Sequence, residues 1–195
     1  MRVAGIDCGT NSIRLLIADV DADGQLVDVL RTMRIVRLGQ GVDATGAFAP
    51  EALERTFEAA REYKKLCDEH RVQAIRFAAT SAARDASNRE VFSERITKIL
   101  GVAPEVISGE EEASLSFAGA ASVRAGQSGK SLVIDLGGGS TEFVLGDATG
   151  PLAAKSLDMG CVRVTERFHQ AGLRSDEALE FMDSTLETLS GTVDV

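Results

Sequence analysis

The sequence has few of the side chains that stack on nucleic-acid bases or ligate soft metal ions. It contains no Trp among 195 residues, and aromatic residues make up only 5%. Binding of a single-stranded nucleic acid by base stacking is therefore not expected. The cysteines Cys8, Cys67 and Cys161 are far apart, and with His70 and His169 they form no metal-ligand spacing. Three scattered cysteines suit a reducing cytoplasm.

Long apolar segments and net positive charge are also missing. No apolar run approaches membrane-spanning length and no signal peptide is recognised, so we expect a cytoplasmic protein without a membrane partner. The formal net charge of −9 argues against a general nucleic-acid binder. An acidic protein that binds an anionic ligand would need a local basic pocket or a metal ion. With 44% hydrophobic residues the chain can bury a core, as one large domain or two small ones.

The segment Leu132–Gly146 carries the strongest functional signal in the chain. A short apolar strand ends in one carboxylate, Asp135, and three consecutive glycines follow it. Only glycine lets three successive N–H groups approach a ligand so closely. A strand-end carboxylate beside such a turn suits a phosphate group with a hard cation, with an ordinary glycine-rich hairpin as the alternative. The predicted phosphate-binding residues of this turn are Gly137, Gly138, Gly139, Ser140 and Thr141.

The same pattern occurs a second time, near the start of the chain. The segment Asp7–Ser12 aligns without gaps on Asp135–Ser140, and Asp19 then falls on Asp147. Two such hairpins in register predict a duplicated domain with one hairpin in each half, and a phosphate chain held between the two turns. The predicted phosphate-binding residues of the first turn are Gly9, Thr10, Asn11 and Ser12.

The order of the elements predicts an α/β fold with two lobes. Three antiparallel strands open the chain, and helical patterns then alternate with two short strand-like runs. The only linker-like run, Ala125–Lys130, places the boundary between a first lobe, 1–126, and a second lobe, 127–195. The second lobe has an opening sheet and two helices but no later strands, so we predict that it is incomplete.

Six motifs lie in order along nearly the whole chain. They are Gly5–Ser12, Arg37–Gly41, Ala79–Arg84, Ile107–Ala113, Ile134–Glu142 and Met159–Val162. Together they resemble the exopolyphosphatase/guanosine pentaphosphate phosphohydrolase (Ppx/GppA) family of the actin-like ATPase superfamily, which also contains sugar kinases, Hsp70 and actin. The resemblance implies an actin-like (ribonuclease H-like) α/β fold of duplicated lobes, with mixed sheets and flanking helices. In the family the second lobe continues with further strands.

Hydrolysis of a phosphoanhydride needs charge neutralisation, a phosphate cradle and a group that orients or deprotonates the attacking water. Asp135 and Asp7 are placed to hold Mg²⁺, directly or through water, although a strand-end Asp can also cap its own turn. The resemblance selects Glu112 as the catalytic residue that orients the water. The residues alone do not separate it from Glu110 and Glu111, because a run of Glu at a helix start also stabilises the helix.

Other side chains could complete the site. Glu142, just past the glycine turn, could share the water or the metal as a second catalytic residue, or face solvent from its strand. Arg84 follows a strand end and could bind a phosphate bidentately, as the matching Arg does in the family; a surface Arg is the alternative. Arg14 and Arg163 are weaker candidates that surface charge would also explain.

The resulting hypothesis is an enzyme that hydrolyses the terminal phosphate of inorganic polyphosphate with Mg²⁺. Hydrolysis of guanosine pentaphosphate would use the same residues, so the sequence does not decide between the two substrates. A non-catalytic polyphosphate or nucleotide sensor is an alternative of another class; the intact Glu112 motif counts against it, and the missing end of the second lobe counts for it. A kinase fits less well. The oligomeric state, including a homodimer, is left open.

Overall fold

The structure is a computed structural model that describes residues 1–122, 129–169 and 175–189. Contacts divide the chain into two compact units, Met1–Val106 and Ile107–Val195. This division falls before the boundary predicted at residue 126, because the helix that follows Val106 packs against strands of the second unit. Residues 125–128 of the predicted linker lie outside the described residues.

The first unit is built on a five-stranded mixed sheet. Its strands are β1 (Arg2–Cys8), β2 (Ser12–Val20), β3 (Leu26–Ile35), β4 (Ala74–Ala79) and β5 (Glu105–Val106). They lie in the order β3-β2-β1-β4-β5. The first three are antiparallel, whereas β4 runs parallel to β1 and β5 parallel to β4. The sheet is therefore mixed, as predicted.

Four helices complete the first unit: α1 (Val42–Thr45), α2 (Pro50–Glu69), α3 (Ser81–Asp85) and α4 (Arg89–Leu100). Helix α2 begins at a Pro, which suits the first helical turn because its missing N–H group would have no partner there. The apolar faces of α2 and α4 pack with the sheet into one core. Its largest fully buried side chains include Tyr63, Phe77, Phe92, Ile13, Leu15 and Ile17.

The second unit opens with α5 (Gly109–Ser122), which packs on a three-stranded antiparallel sheet. The strands are β6 (Ser131–Leu136), β7 (Thr141–Asp147) and β8 (Gly150–Leu157), in that order. A small core of Ala113, Phe117 and Val144 joins the helix to the sheet. This packing explains why α5 belongs with the second unit.

Short helical elements follow β8. They are α6 (Cys161–Val164), a π-helical turn (Thr165–His169) and α7 (Ser175–Glu187). The rings of Phe168 and Phe181 lie 5.3 Å apart and join the π-helical turn to α7. Of the helices that the structure describes, none combines the length and apolar character needed to cross a membrane.

The predicted internal repeat is confirmed at the level of the two hairpins. In the first, the Gly9 N–H donates to Ser12 O at 3.0 Å; in the second, the Gly137 N–H donates to Ser140 O at 2.9 Å. Both hairpins continue into a third antiparallel strand, β3 or β8. The two turns therefore have the same closing hydrogen bond and the same strand setting.

Candidate active site

The first glycine turn joins β1 to β2 and has an ion pair at its base. Asp7 and Arg14 are direct cross-strand partners, and Arg14 Nη1 lies 3.2 Å from Asp7 Oδ2. Their side chains are 48% and 62% exposed, respectively. The structure thus places a predicted metal ligand and a weaker phosphate candidate side by side, where each neutralises the other.

A loop after β3 holds this turn from one side. The N–H groups of Val36 and Arg37 donate to Asn11 O at 3.0 and 2.9 Å, and the Gly39 N–H donates to Thr10 O at 2.8 Å. A Cβ on Gly39 would lie 2.2 Å from Thr10 Cγ2, so glycine is required for this approach. Arg37 has a φ of 50°, a strained conformation for a residue other than glycine. The loop fixes two carbonyl groups of the turn, a role that the sequence did not predict.

Strand β4 ends beside the same turn. The Thr80 N–H donates to Cys8 O at 3.2 Å, and Thr80 Oγ1 lies 3.9 Å from the position that a Cβ on Gly9 would take. Helix α3 starts directly after this residue, and the Arg84 N–H donates to Thr80 O at 3.1 Å. The structure therefore brings Arg84 and the first glycine turn to the same end of the sheet.

The second glycine turn packs closely against the segment after β8. A Cβ on Gly160 would lie 2.3 Å from the carbonyl carbon of Gly138 and 2.5 Å from Gly139 N, so only glycine permits this contact. Thr141 Oγ1 donates to Met159 O and ties the same segment to β7. Thr141 is buried and its hydroxyl is used in this way, although the sequence predicted it as a phosphate-binding residue.

Helix α6 supplies hydrogen-bond donors to the carbonyl groups of this turn. Backbone N–H groups at the start of α6 donate to the carbonyl oxygens of Gly137 and Gly138 at 2.9–3.0 Å. The Nε–H of Arg163 donates to Gly139 O at 2.7 Å, and its side chain is only 12% exposed. Arg163, a weaker phosphate candidate in the sequence, thus contacts the backbone of the turn.

Glu142 is almost completely buried in the second unit, with 1% of its surface exposed. It lies on β7 directly opposite Asp135 on β6 and Ser156 on β8. Ser156 Oγ donates to Glu142 Oε1 at 2.8 Å, and the side chain of Ser140 is also hydrogen-bonded to Glu142. The alternative that Glu142 faces solvent is therefore wrong, because cross-strand partners and helix α5 enclose it.

Burial raises the pKa of Glu142 above that of an ordinary Glu, and the charges of Glu112 and Asp135 raise it further. The hydrogen bonds from Ser156 and Ser140 lower the same pKa in part. A carboxyl group that keeps its proton to higher pH, next to other carboxyl groups, is typical of sites that perform acid–base chemistry.

Helix α5 brings one of three successive glutamates to this group. Its first residue is Gly109, where a Cβ would lie 2.7 Å from Ser156 Cβ, so glycine lets the helix approach β8 closely. Glu112 is half-buried, whereas Glu110 and Glu111 are exposed. The structure thus separates Glu112 from its two neighbours, which the residue pattern alone did not do. We call Glu112, Asp135 and Glu142 the carboxylate cluster.

Two serines that contact this cluster were not predicted. Ser116 Oγ donates to Asp135 Oδ2, and Ser156 donates to Glu142. Ser116 could have been found, because it follows Glu112 by four residues and so lies on the same helix face. Ser156 had no signal in the sequence, since strand register alone decides its partner.

Metal binding is compatible with the chemistry of these side chains. Carboxylate oxygens are the ligands that Mg²⁺ prefers in proteins. Within the described ranges 1–122, 129–169 and 175–189, no group of three or more His, Cys, Asp or Glu residues is arranged to hold a metal ion. Asp7 and Asp135 belong to different units. Their binding of Mg²⁺ stays a prediction.

Comparisons with known proteins place the chain among phosphatases. It is 56% identical over 174 residues to exopolyphosphatase 2 of Mycobacterium tuberculosis, which covers 85% of this chain and 54% of that protein. It is 36% identical over 192 residues to guanosine-5'-triphosphate,3'-diphosphate pyrophosphatase of Vibrio campbellii, covering 96% of this chain and 38% of that protein. The chain thus spans about half, or less, of the length of these two relatives.

The fold and the family model agree with these relatives. The crystal structure of an exopolyphosphatase-like protein superimposes with a TM-score of 0.92 at 51% identity, covering 99% of this chain and 62% of that chain. The predicted α/β fold class is confirmed by this match. The model of the Ppx/GppA phosphatase family matches residues 16–194, which is most of the sequence. The chain therefore belongs to the Ppx/GppA phosphatase family.

Proposed function

We propose that the protein hydrolyses the terminal phosphoanhydride bond of inorganic polyphosphate with the help of a divalent metal ion. The observation that carries this proposal is the carboxylate cluster, which lies at the base of the second glycine turn. A buried acid with a raised pKa beside a glycine-rich turn suits water activation and phosphoryl transfer. The name of the mycobacterial relative supports polyphosphate as the substrate.

Within the cluster we assign different tasks to the two glutamates. Glu142 is the buried acid, and its raised pKa means that it retains a proton to higher pH. Glu112 is half-buried and lies near enough to influence Glu142 through its charge. Glu112 is therefore the carboxylate that orients and deprotonates the attacking water, while Glu142 holds the neighbouring polar groups in place.

Each unit has groups that would bind phosphate or metal. In the second unit the backbone of Gly137, Gly138 and Gly139 offers a cradle for a phosphate group, and in the first unit Arg84 offers a guanidinium. Asp135, with Asp7 as a second candidate, would hold Mg²⁺. A bound Mg²⁺ neutralises charge on phosphoryl oxygens.

Hydrolysis of guanosine pentaphosphate is the second candidate. It is supported by the identity to the Vibrio campbellii relative, whose name describes action on such a nucleotide. The carboxylate cluster would serve either substrate, because both reactions break a terminal phosphoanhydride bond. A non-catalytic sensor would bind the same ligands and release no phosphate.

A phosphate-release assay separates these functions. The protein is incubated with long-chain polyphosphate or guanosine pentaphosphate and Mg²⁺, beside the mycobacterial relative as a positive control. Release of orthophosphate from polyphosphate supports the proposal, and release from the nucleotide alone supports the second candidate. Binding of polyphosphate by calorimetry without any release would favour the sensor.

A further inference from the structure

The contacts of the second glycine turn point to a device that orients its N–H groups. Three successive carbonyl oxygens, those of Gly137, Gly138 and Gly139, accept hydrogen bonds from α6 or its Arg163 side chain. Each of these three oxygens is therefore hydrogen-bonded to Cys161, Val162 or Arg163. We call these contacts the brace.

The geometry of the peptide bond converts this brace into a direction for the N–H groups. The peptide bonds of the turn are trans, and in a planar trans peptide the C=O and N–H bonds point to opposite sides. Holding the carbonyl groups of three successive residues towards α6 therefore turns the N–H groups of Gly138, Gly139 and Ser140 away from it. Successive N–H groups on one side form a concave site for an anion.

Gly138 offers the more accessible N–H group for such a ligand, because Gly138 is half-buried whereas Gly139 and Ser140 are buried. In the part of the chain that the structure describes, no acceptor is found for the N–H of Gly138 or Gly139. The closeness of Gly160, whose Cβ would lie 2.3 Å from Gly138, also prevents the turn from relaxing towards α6. The turn is thus held in one orientation before any phosphate arrives.

Arg163 has a specific place in the brace. Its Nε–H is the donor to Gly139 O, at 2.7 Å, and the side chain is mostly buried against the turn. Asp158 Oδ1 lies 4.0 Å from Arg163 Nη2 and partly offsets the charge of the guanidinium. These contacts use Arg163 as a donor to backbone.

Building on the proposed function, we infer that Arg163 is a positioning residue for phosphate binding. It orients the peptide between Gly139 and Ser140 through the carbonyl group, so that the N–H groups of the turn bind a phosphate of the substrate. In this role the hydrogen-bond donor matters and the positive charge does not.

Three variants test this inference by calorimetric binding of tripolyphosphate. Arg163→Met removes donor and charge and should weaken binding about tenfold, the equivalent of about 1.4 kcal/mol. Arg163→Gln keeps an N–H donor without charge and should restore most of the affinity. Arg167→Met is the matched control; Arg167 lies over the ring of Phe181 at 4.9 Å, and its loss should leave binding unchanged.

The outcomes separate a brace from a direct phosphate contact. If Arg163→Gln binds as weakly as Arg163→Met, and both lose part of the salt dependence of binding, the charge contacts phosphate and the inference is wrong. Unchanged affinity in Arg163→Met would also overturn it.

If the unsubstituted protein binds no tripolyphosphate, the proposed function fails, and amide hydrogen exchange then tests whether Arg163 holds the brace in place. Faster exchange at Cys161 and Val162 in Arg163→Met, but not in Arg163→Gln, supports it; equal exchange in both refutes it.

Discussion

The two hairpins of this protein share a backbone and differ in charge. At equivalent cross-strand positions the first pairs Asp7 with Arg14 and the second pairs Asp135 with Glu142. The first pair is an exposed ion pair, whereas the second places an acid beside a buried acid with a raised pKa. The same hairpin can thus carry a pair of opposite charges in one copy and a pair of acidic side chains, which repel each other when both are ionised, in the other.

The two units also differ in their balance of basic and acidic residues. The unit Met1–Val106 contains 15 Lys and Arg against 16 Asp and Glu, and Ile107–Val195 contains 6 against 14, which together make the 21 and 30 of the chain. A polyanion would be repelled more by the second unit.

Replacement of Glu112, a carboxylate of the acidic second unit, should have the largest effect on activity. Glu112→Gln keeps the size and removes the base, so turnover of polyphosphate should fall by about 10²–10⁴-fold. Glu111→Gln is the matched control, because a first-turn Glu that only stabilises the helix is worth about 0.3–1 kcal/mol. Steady-state phosphate release measures both variants. Equal, small effects would mean that the base lies elsewhere, with Glu142 as the first alternative.

Removal of divalent metal should have the next largest effect. Excess chelator should lower turnover by about 10²-fold or more. A bound cation neutralises negative charge on the phosphoryl oxygens, which the acidic second unit does not neutralise by itself. Added Mg²⁺ should restore the rate, and added Na⁺ at equal ionic strength should not. Undiminished phosphate release in excess chelator would rule the metal out.

Replacement of the buried acid should raise stability. A carboxyl group with a raised pKa in the folded protein binds protons more tightly there than in the unfolded chain, so stability falls as pH rises above the ordinary Glu value. Glu142→Gln removes this penalty and keeps an oxygen for the Ser156 hydroxyl. We expect the Tm at pH 8 to rise by about 2–4 °C, which corresponds to about 1 kcal/mol.

The pH dependence provides the control for this prediction. The gain in Tm should be smaller at pH 5.5 than at pH 8, because more of the Glu142 population is already protonated at the lower pH. A gain that is equal at both pH values would show that it does not arise from the charge of Glu142, and a loss of stability at pH 8 would show that the folded protein stabilises that charge.

Loss of the ion pair in the first hairpin should have the smallest effect on stability. Asp7→Asn removes an exposed pair, and such pairs contribute less than about 1 kcal/mol. Thermal unfolding in low and high salt measures the change, which should shrink further in high salt. A loss of several kcal/mol would indicate that Asp7 is buried in the folded protein and that the two hairpins are more alike than their exposure suggests.

Much of the fold and part of the site could be read from the sequence because they depend on local chemistry. The glycine turns and the strands around them follow from residues close together in the chain, and the internal repeat follows from the likeness of two such segments. The motifs that carried the resemblance are equally local, so the family could be recognised. Glu112, Asp135 and Glu142 were all named as candidates on these grounds.

The tertiary structure decided what each of these residues contacts. Register across β6, β7 and β8 buries Glu142 between Asp135 and Ser156, and no local pattern encodes that register. The close approach of Gly109 to β8 selects Glu112 from three successive glutamates and moves α5 into the second unit. Packing likewise places the Arg163 side chain where its Nε–H donates to the backbone of the second glycine turn. Burial and charge depend on neighbours distant in the chain, and only the folded protein brings them together.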